Sequence, residues 1–216
     1  NDHGSGGGAG TGQRRGGSMI PPHMKAFGEL AGSMSRSVHG AASTFTQIVS
    51  EQVGMSVSHV EIADRARLDL CLASLDSCLC GVAQRMRTTD GCGAEAMLVL
   101  PQIGGLALVR RMLGLPGDVA EPGELEQDAL AEVGNIVIDA CSGVLAGALG
   151  WHIEAAQPRV TLSVPDRLFG VDETLRSALV THLRMHLSGL RVDGLVVLEM
   201  TALAGPPMLP PRRLDA

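Results

Sequence analysis

Asp128, Glu132 and Asn135 stand at i, i+4 and i+7 in a long, mostly apolar stretch of the sequence. On an α-helix this spacing puts all three on one stripe. Asp139 and Ser142 extend the stripe, while Val133, Ile136, Val137, Ala140 and Val144 are placed to face a core. A carboxylate on such a stripe presents charge. A carboxamide is more versatile, because its oxygen accepts a hydrogen bond and its NH₂ group donates. Most stripes of this kind are ordinary solvated helix faces, so the spacing alone leaves the chemistry open.

A longer pattern narrows it. Asp128, three residues, Glu132, two residues, Asn135, twenty-two residues and then Pro158 span thirty-one positions. In Glu132-Val133-Gly134-Asn135-Ile136 and in Gln157-Pro158-Arg159-Val160 the chain resembles the CheC/CheX/FliY family of chemotaxis phosphatases. Four fixed residue types over that span arise by chance in roughly one chain of this length in a few hundred.

The resemblance implies a protein aspartyl-phosphate phosphatase acting on a phosphorylated, CheY-like response regulator. The family's Asn enters the regulator's site and orients the attacking water, and its Glu contacts a lysine there. By resemblance those roles fall to Asn135 and Glu132. The Mg²⁺ then belongs to the regulator, and no cofactor of the chain's own is expected. Phosphoryl transfer passes through a loose transition state, so positioning a water in line is most of the task and a carboxamide suffices for it. The role of Asp128 stays open between orienting the motif and capping or solubilising the helix start. Pro158, which has no N–H, is expected to shape the connection beside the site. The alternative in another class is a non-catalytic interaction protein, a flagellar-switch component or the partner of a CheD-like deamidase.

The elements around the motif form two similar halves, within a single CheC-like domain over 23–204. Phe27, Leu30, Met34, Val38, Ala41, Phe45 and Ile48 recur at helical spacing and predict a helix over 24–52. A strand over 55–62 follows, then a hairpin of 79–87 and 94–100 with its turn at Asp90-Gly91, then a short helix over 106–113 ended by Gly114 and Pro116. The second half repeats the order, with a helix over 124–149, a strand over 152–162 and a hairpin of 178–187 and 195–200 turning near Asp193-Gly194. The repeats span about 24–114 and 124–202. Laying Gly54–Ile62 over Glu154–Leu162 gives an offset of 100 without a gap. The expected fold is α+β, with two helix–strand–hairpin halves sharing a mainly antiparallel sheet and the long helices on one face. The Gly- and Ser-rich residues 1–22 read as a disordered leader, and the Pro-rich residues 205–216 as a tail.

The same offset puts Gly28, Gly32, Ser35 and Ser58 at the four motif positions of the first half. Carboxylate, amide and proline are all missing. Glu29 is one position off and points about 100° away around the helix. The first half is therefore expected to be catalytically silent, and its smooth glycine strip to be a contact with a partner or a second subunit in a homodimer.

Composition removes other classes. Of 216 residues, 45% are apolar but only 2% aromatic, and the net charge is −6. Few aromatic platforms and a negative charge argue against nucleic acid. No uncharged apolar run approaches the ~20 residues that span a bilayer, so a cytoplasmic protein without a membrane partner is expected. Cys71, Cys78, Cys80, Cys92 and Cys141 fit no disulfide framework and read as reduced thiols. The lone C-x-C of Cys78 and Cys80 is a weak metal signal, and Cys141 has no His partner nearby to make it a nucleophile. His182 and His186 read as an exposed strand face, and Arg110-Arg111 as a charge pair at a helix C-terminus.

Overall fold

A computed structural model describes residues 22–49, 52–88, 93–116, 122–169 and 177–200. The leader before Pro22, the tail, the Asp90-Gly91 turn and Cys92 lie outside them. The described elements are α1 (Pro22–Val49), β1 (Val53–Ala63), α2 (Arg65–Leu75), β2 (Leu79–Thr88), β3 (Gly93–Pro101), α3 (Gln102–Leu113), α4 (Glu124–Leu149), β4 (Ile153–Ala155), β5 (Arg159–Ser163), α5 (Pro165–Leu168), β6 (Ala178–Leu187) and β7 (Leu190–Met200).

Among the described residues seven strands form one antiparallel sheet in the order β1-β6-β7-β3-β2-β4, with β5 also on β2. The fold is α+β, and the long helices α1 and α4 share one face. There Met34, Val38 and Phe45 of α1 and Leu130, Val133 and Val137 of α4 are buried with Val82, Leu98 and Leu183 of the sheet. By length and composition α4 could cross a membrane; its Leu130, Val133, Val137 and Ile138 are buried in the core, while Leu125 and Leu149 at its ends are exposed. The other face is covered by two helices that the sequence reading passed over. In α2, Leu68, Cys71 and Leu72 join Leu168 of α5 over Ala63, Leu79, Val99 and Val180. Asp64 starts α2 by accepting from the Arg67 N–H at 2.8 Å. The helix is short and its Leu70 is exposed, which blurs its periodicity.

Strand pairing bears out the internal repeat. Ala63 faces Ala178 between β1 and β6, and Ser163 faces Leu79 between β5 and β2. Strands β2 and β6 also share one burial pattern, residue by residue. In β1 the register slips between Val57, opposite Leu183, and His59, opposite His182, so Ser58 is a bulge. In the second half the expected strand over 152–162 breaks at the matching place. Met86 faces Ala155 whereas Ala83 faces Arg159, so Ala156, Gln157 and Pro158 stand opposite Gln84 and Arg85. One extra residue re-aims the chain in both halves.

The second hairpin turns at Ser188-Gly189, with Leu187 facing Leu190, and not near Asp193-Gly194. Gly189 takes φ +87°, which glycine tolerates. Asp193-Gly194 lies inside β7. A Cβ on Gly194 would meet Leu100 Cδ2 at 2.5 Å and the Val99 carbonyl at 2.8 Å. Asp193 pairs with Arg184 at 2.8 Å and Arg191 at 2.9 Å. Close strand approach explains this Asp-Gly, which the sequence alone presents as a turn.

Cys71, Cys80 and Cys141 are buried and Cys78 is exposed. Burial pushes the Cys80 and Cys141 thiols up to about 12, so neither is a nucleophile at neutral pH.

Candidate active site

Beyond its buried apolar face, two contacts set the position of helix α4. At its start, the Glu126 side chain accepts from the Gly123 N–H at 2.6 Å and from Arg110 Nε at 2.7 Å. Arg110 and Glu126 are both buried, and the guanidinium beside it holds the Glu126 carboxyl below its usual range. Arg110 and Arg111 stand in the last turn of α3, as expected; Arg110 turns inward as a buried partner of α4, and Arg111 is exposed. At mid-helix Gly134 lies against β2, with no room for a side chain beside Val82. This glycine lets α4 approach the sheet closely and so sets the depth of its neighbour Asn135.

On the outer stripe Asp128 and Glu132 are exposed and Asn135 is half-buried. Asp139 continues the stripe. Burial, and then the Glu132 carboxylate, push its carboxyl up. Leu125, 65% exposed, begins the same stripe at helical spacing. Ser142 does not belong to it. It is buried and its hydroxyl donates to the Ile138 carbonyl at 2.8 Å, as a serine on the inner side of a helix does. Asp128 is the fifth residue of α4, beyond its first turn, and the side-chain bond at the helix start is made by Glu126.

The sequence reading missed Gln84. This β2 residue is 2% exposed. Its Nε2 donates to Asn135 Oδ1 at 2.9 Å and to the Ala156 carbonyl at 3.0 Å. Ala156 in turn donates its N–H to the Arg85 carbonyl at 2.8 Å. A backbone carbonyl only accepts, so the Gln84 nitrogen must face it. The same nitrogen then requires the oxygen of Asn135, which turns the Asn135 NH₂ away from Gln84. Gln84 Oε1 is buried and has no partner among the described residues, a loss of about 1–3 kcal/mol for a group of this kind. Pro158, half-buried, lies two residues beyond Ala156, so helix stripe, buried amide and strand break converge.

The first half holds none of this. Gly28 is exposed, and Gly32 and Ser35 are half-buried. The Ser35 hydroxyl accepts from the Val57 N–H at 3.4 Å, beside the bulge. Leu183 occupies the β6 position that matches Gln84 in β2. Gly28, Gly32, Ser35 and Val57 line a groove of ≈ 720 Å³ between α1 and β1, walled also by Phe27 and Ile62. A Cβ on Gly28 would meet nothing within 4 Å, and one on Gly32 would meet Arg36 Nη1 at 3.7 Å, an ordinary contact.

No family model matches the sequence, and no curated protein does. Solved structures do match. FliY from Thermotoga maritima aligns with a TM-score of 0.61 at 18% identity, covering 85% of this chain and 92% of that one. The FliG-FliM complex from H. pylori gives 0.57 at 13% identity, over 82% and 94% of the two chains. The FliM middle domain from Vibrio alginolyticus gives 0.55 at 13%, over 79% and 90%. The chain has the CheC/CheX/FliY fold. The CheC/CheX/FliY resemblance read from the motif is thus met by the fold, and the motif falls on a helix leading into a strand.

On this fold one further polar cluster stands apart from the motif. His59 and Glu61 of β1 meet His182 of β6. Glu61 Oε1 lies 2.8 Å from His182 Nε2 and 3.5 Å from His59 Nε2, and the two rings stack at 3.8 Å. Arg67 engages both Glu61 oxygens, at 2.9 and 3.0 Å. It holds the carboxyl down at about 2. Both ring Nε2 atoms converge on Glu61 Oε1, and Arg67 already engages both oxygens of that carboxylate. His186 is exposed as expected, whereas His182 is half-buried and bound to Glu61. Burial pushes its pKa down.

Proposed function

We propose that this protein hydrolyses the aspartyl phosphate of a CheY-like response regulator, with Asn135 and Glu132 as catalytic residues and the regulator supplying the Mg²⁺. The observation that carries the reading is the Asn135 carboxamide, held by its oxygen at the edge of an exposed acidic stripe with its NH₂ free for a partner. One lone pair of Oδ1 is taken by Gln84, and the other can accept from a water. That arrangement suits the positioning of an attacking water with no strong base. Glu132, exposed three residues away, presents a carboxylate to a lysine of the regulator. Asp128 and Asp139 add negative charge that favours a basic partner surface. Pro158 fixes the strand break beside Asn135. Such a partner places the protein in the cytoplasm, in a chemotaxis or other two-component pathway.

The test is the decay of a phosphorylated, single-domain response regulator with and without catalytic amounts of the protein. Acceleration well below one equivalent supports the reading, and unchanged decay overturns it. A second reading, a non-catalytic component of a flagellar switch, draws on the likeness to the FliG-FliM complex and the FliM middle domain. Regulator binding without acceleration favours it.

A further inference from the structure

We infer that Gln84 is a positioning residue for Asn135, acting through its hydrogen bond to the asparagine oxygen; this rests on the phosphatase reading of the site. The two halves of the fold make the comparison within one molecule. Gln84 and Leu183 hold the same place, sixth in strands with one burial pattern. Both are 2% exposed and face the long-helix side of the sheet. Leucine is what such a core position favours. A glutamine is present only in the half whose helix carries the carboxamide, and where Ser35 replaces the asparagine the strand residue is leucine.

The geometry also fixes a direction. Gln84 Nε2 is pinned by the Ala156 carbonyl at 3.0 Å, and the 2.9 Å bond to Asn135 Oδ1 follows from the same nitrogen. Of the two orientations open to a carboxamide, this bond selects the one with its NH₂ turned from the core. The same glutamine ties α4 to the strand break at Ala156, so the helix residue and the Pro158 connection move as one piece. A buried amide whose oxygen has no partner among the described residues is disfavoured in a core unless another function keeps it.

The experiment uses Gln84→Met, which keeps length and removes the donor, and Gln84→Leu, which copies the residue at the matching position. Two readouts are taken on the whole protein. The first is the order of the Asn135 side-chain NH₂ by ¹⁵N relaxation. The second is the kcat and KM for dephosphorylation of the regulator. The expected result is a rigid Asn135 amide in the wild type, a mobile one in both variants, and a kcat lowered about tenfold or more with KM and melting temperature little changed. An Asn135 amide that stays ordered in both variants overturns the inference, as does undiminished kcat in both. If the wild type has no turnover while the amide loses order in the variants, the positioning role stands and the phosphatase reading falls.

Discussion

Val82 of β2 lies directly beneath Gly134 of α4, its Cβ 2.6 Å from where a methyl on that glycine would stand. Both are buried, and Val82 is paired on both sides, with Leu98 of β3 and Val160 of β5, so the strand has little room to retreat. Gly134→Ala is expected to destabilise the fold by about 1–3 kcal/mol through overpacking, despite the better helix propensity of alanine. Chemical denaturation measures this. Gly134→Ala with Val82→Ala should recover most of the loss, and strict additivity of the two single variants would show that they do not clash.

Asn135→Ala should abolish phosphatase activity, by about 10²-fold or more, with little change in melting temperature. Its side chain is half-buried and makes its bond to Gln84 at the edge of the core. A folded Asn135→Ala protein with wild-type turnover would remove this residue from the chemistry.

Glu132→Lys should weaken regulator binding more than Glu132→Gln does. The carboxylate is exposed, so its replacement disturbs no packing and the difference reads electrostatics alone. Reversal adds repulsion to the lost attraction, and the gap should narrow as salt is raised. Titration of a stable phosphoryl-mimic regulator at two ionic strengths gives the answer; equal affinities for all three proteins would mean Glu132 meets no cation.

The first half should bind no regulator. Gly32→Ala with Ser35→Ala is expected to leave turnover and a stoichiometry of one regulator per chain unchanged. A Cβ on Gly32 would find Arg36 Nη1 at 3.7 Å, an ordinary contact, so the double variant should fold. A halved rate would reveal a second working site.

Acid should weaken the β1–β6 edge in two windows. Burial pushes His182 below its ordinary 6.5, so the unfolded chain takes up a proton first and stability falls as pH drops below 6.5. Arg67 holds Glu61 at about 2 against an ordinary 4.5. Its stabilising effect is therefore complete above about 4.5 and is lost as pH falls through about 2. Glu61→Gln should cost about 1 kcal/mol at neutral pH and remove the lower window. It should also steepen the upper one, because Glu61 favours protonated His182. Melting temperature against pH for both proteins checks this; parallel profiles would show that Glu61 gains nothing from Arg67.

Much of the molecule follows from the sequence alone. Local periodicity was enough to place α1 and α4, to set Asp128, Glu132 and Asn135 on one outward stripe, and to align the halves at the offset that strand pairing reproduces. It also marked the first half as lacking the motif, because residue types at matched positions need no coordinates. What periodicity cannot carry is the partner across the fold. Gln84 is fifty-one residues from Asn135, and in sequence it is one polar residue in a hairpin strand. The same limit hid the buried Arg110–Glu126 pair and the reason for Gly134, and it made Asp193-Gly194 resemble a turn. A residue's own type and its near neighbours determine which way its side chain leans on a helix or strand. Which atom it then meets depends on how closely α4 and the two strand pairs approach, and that distance exists only once the sheet and the helix are packed together.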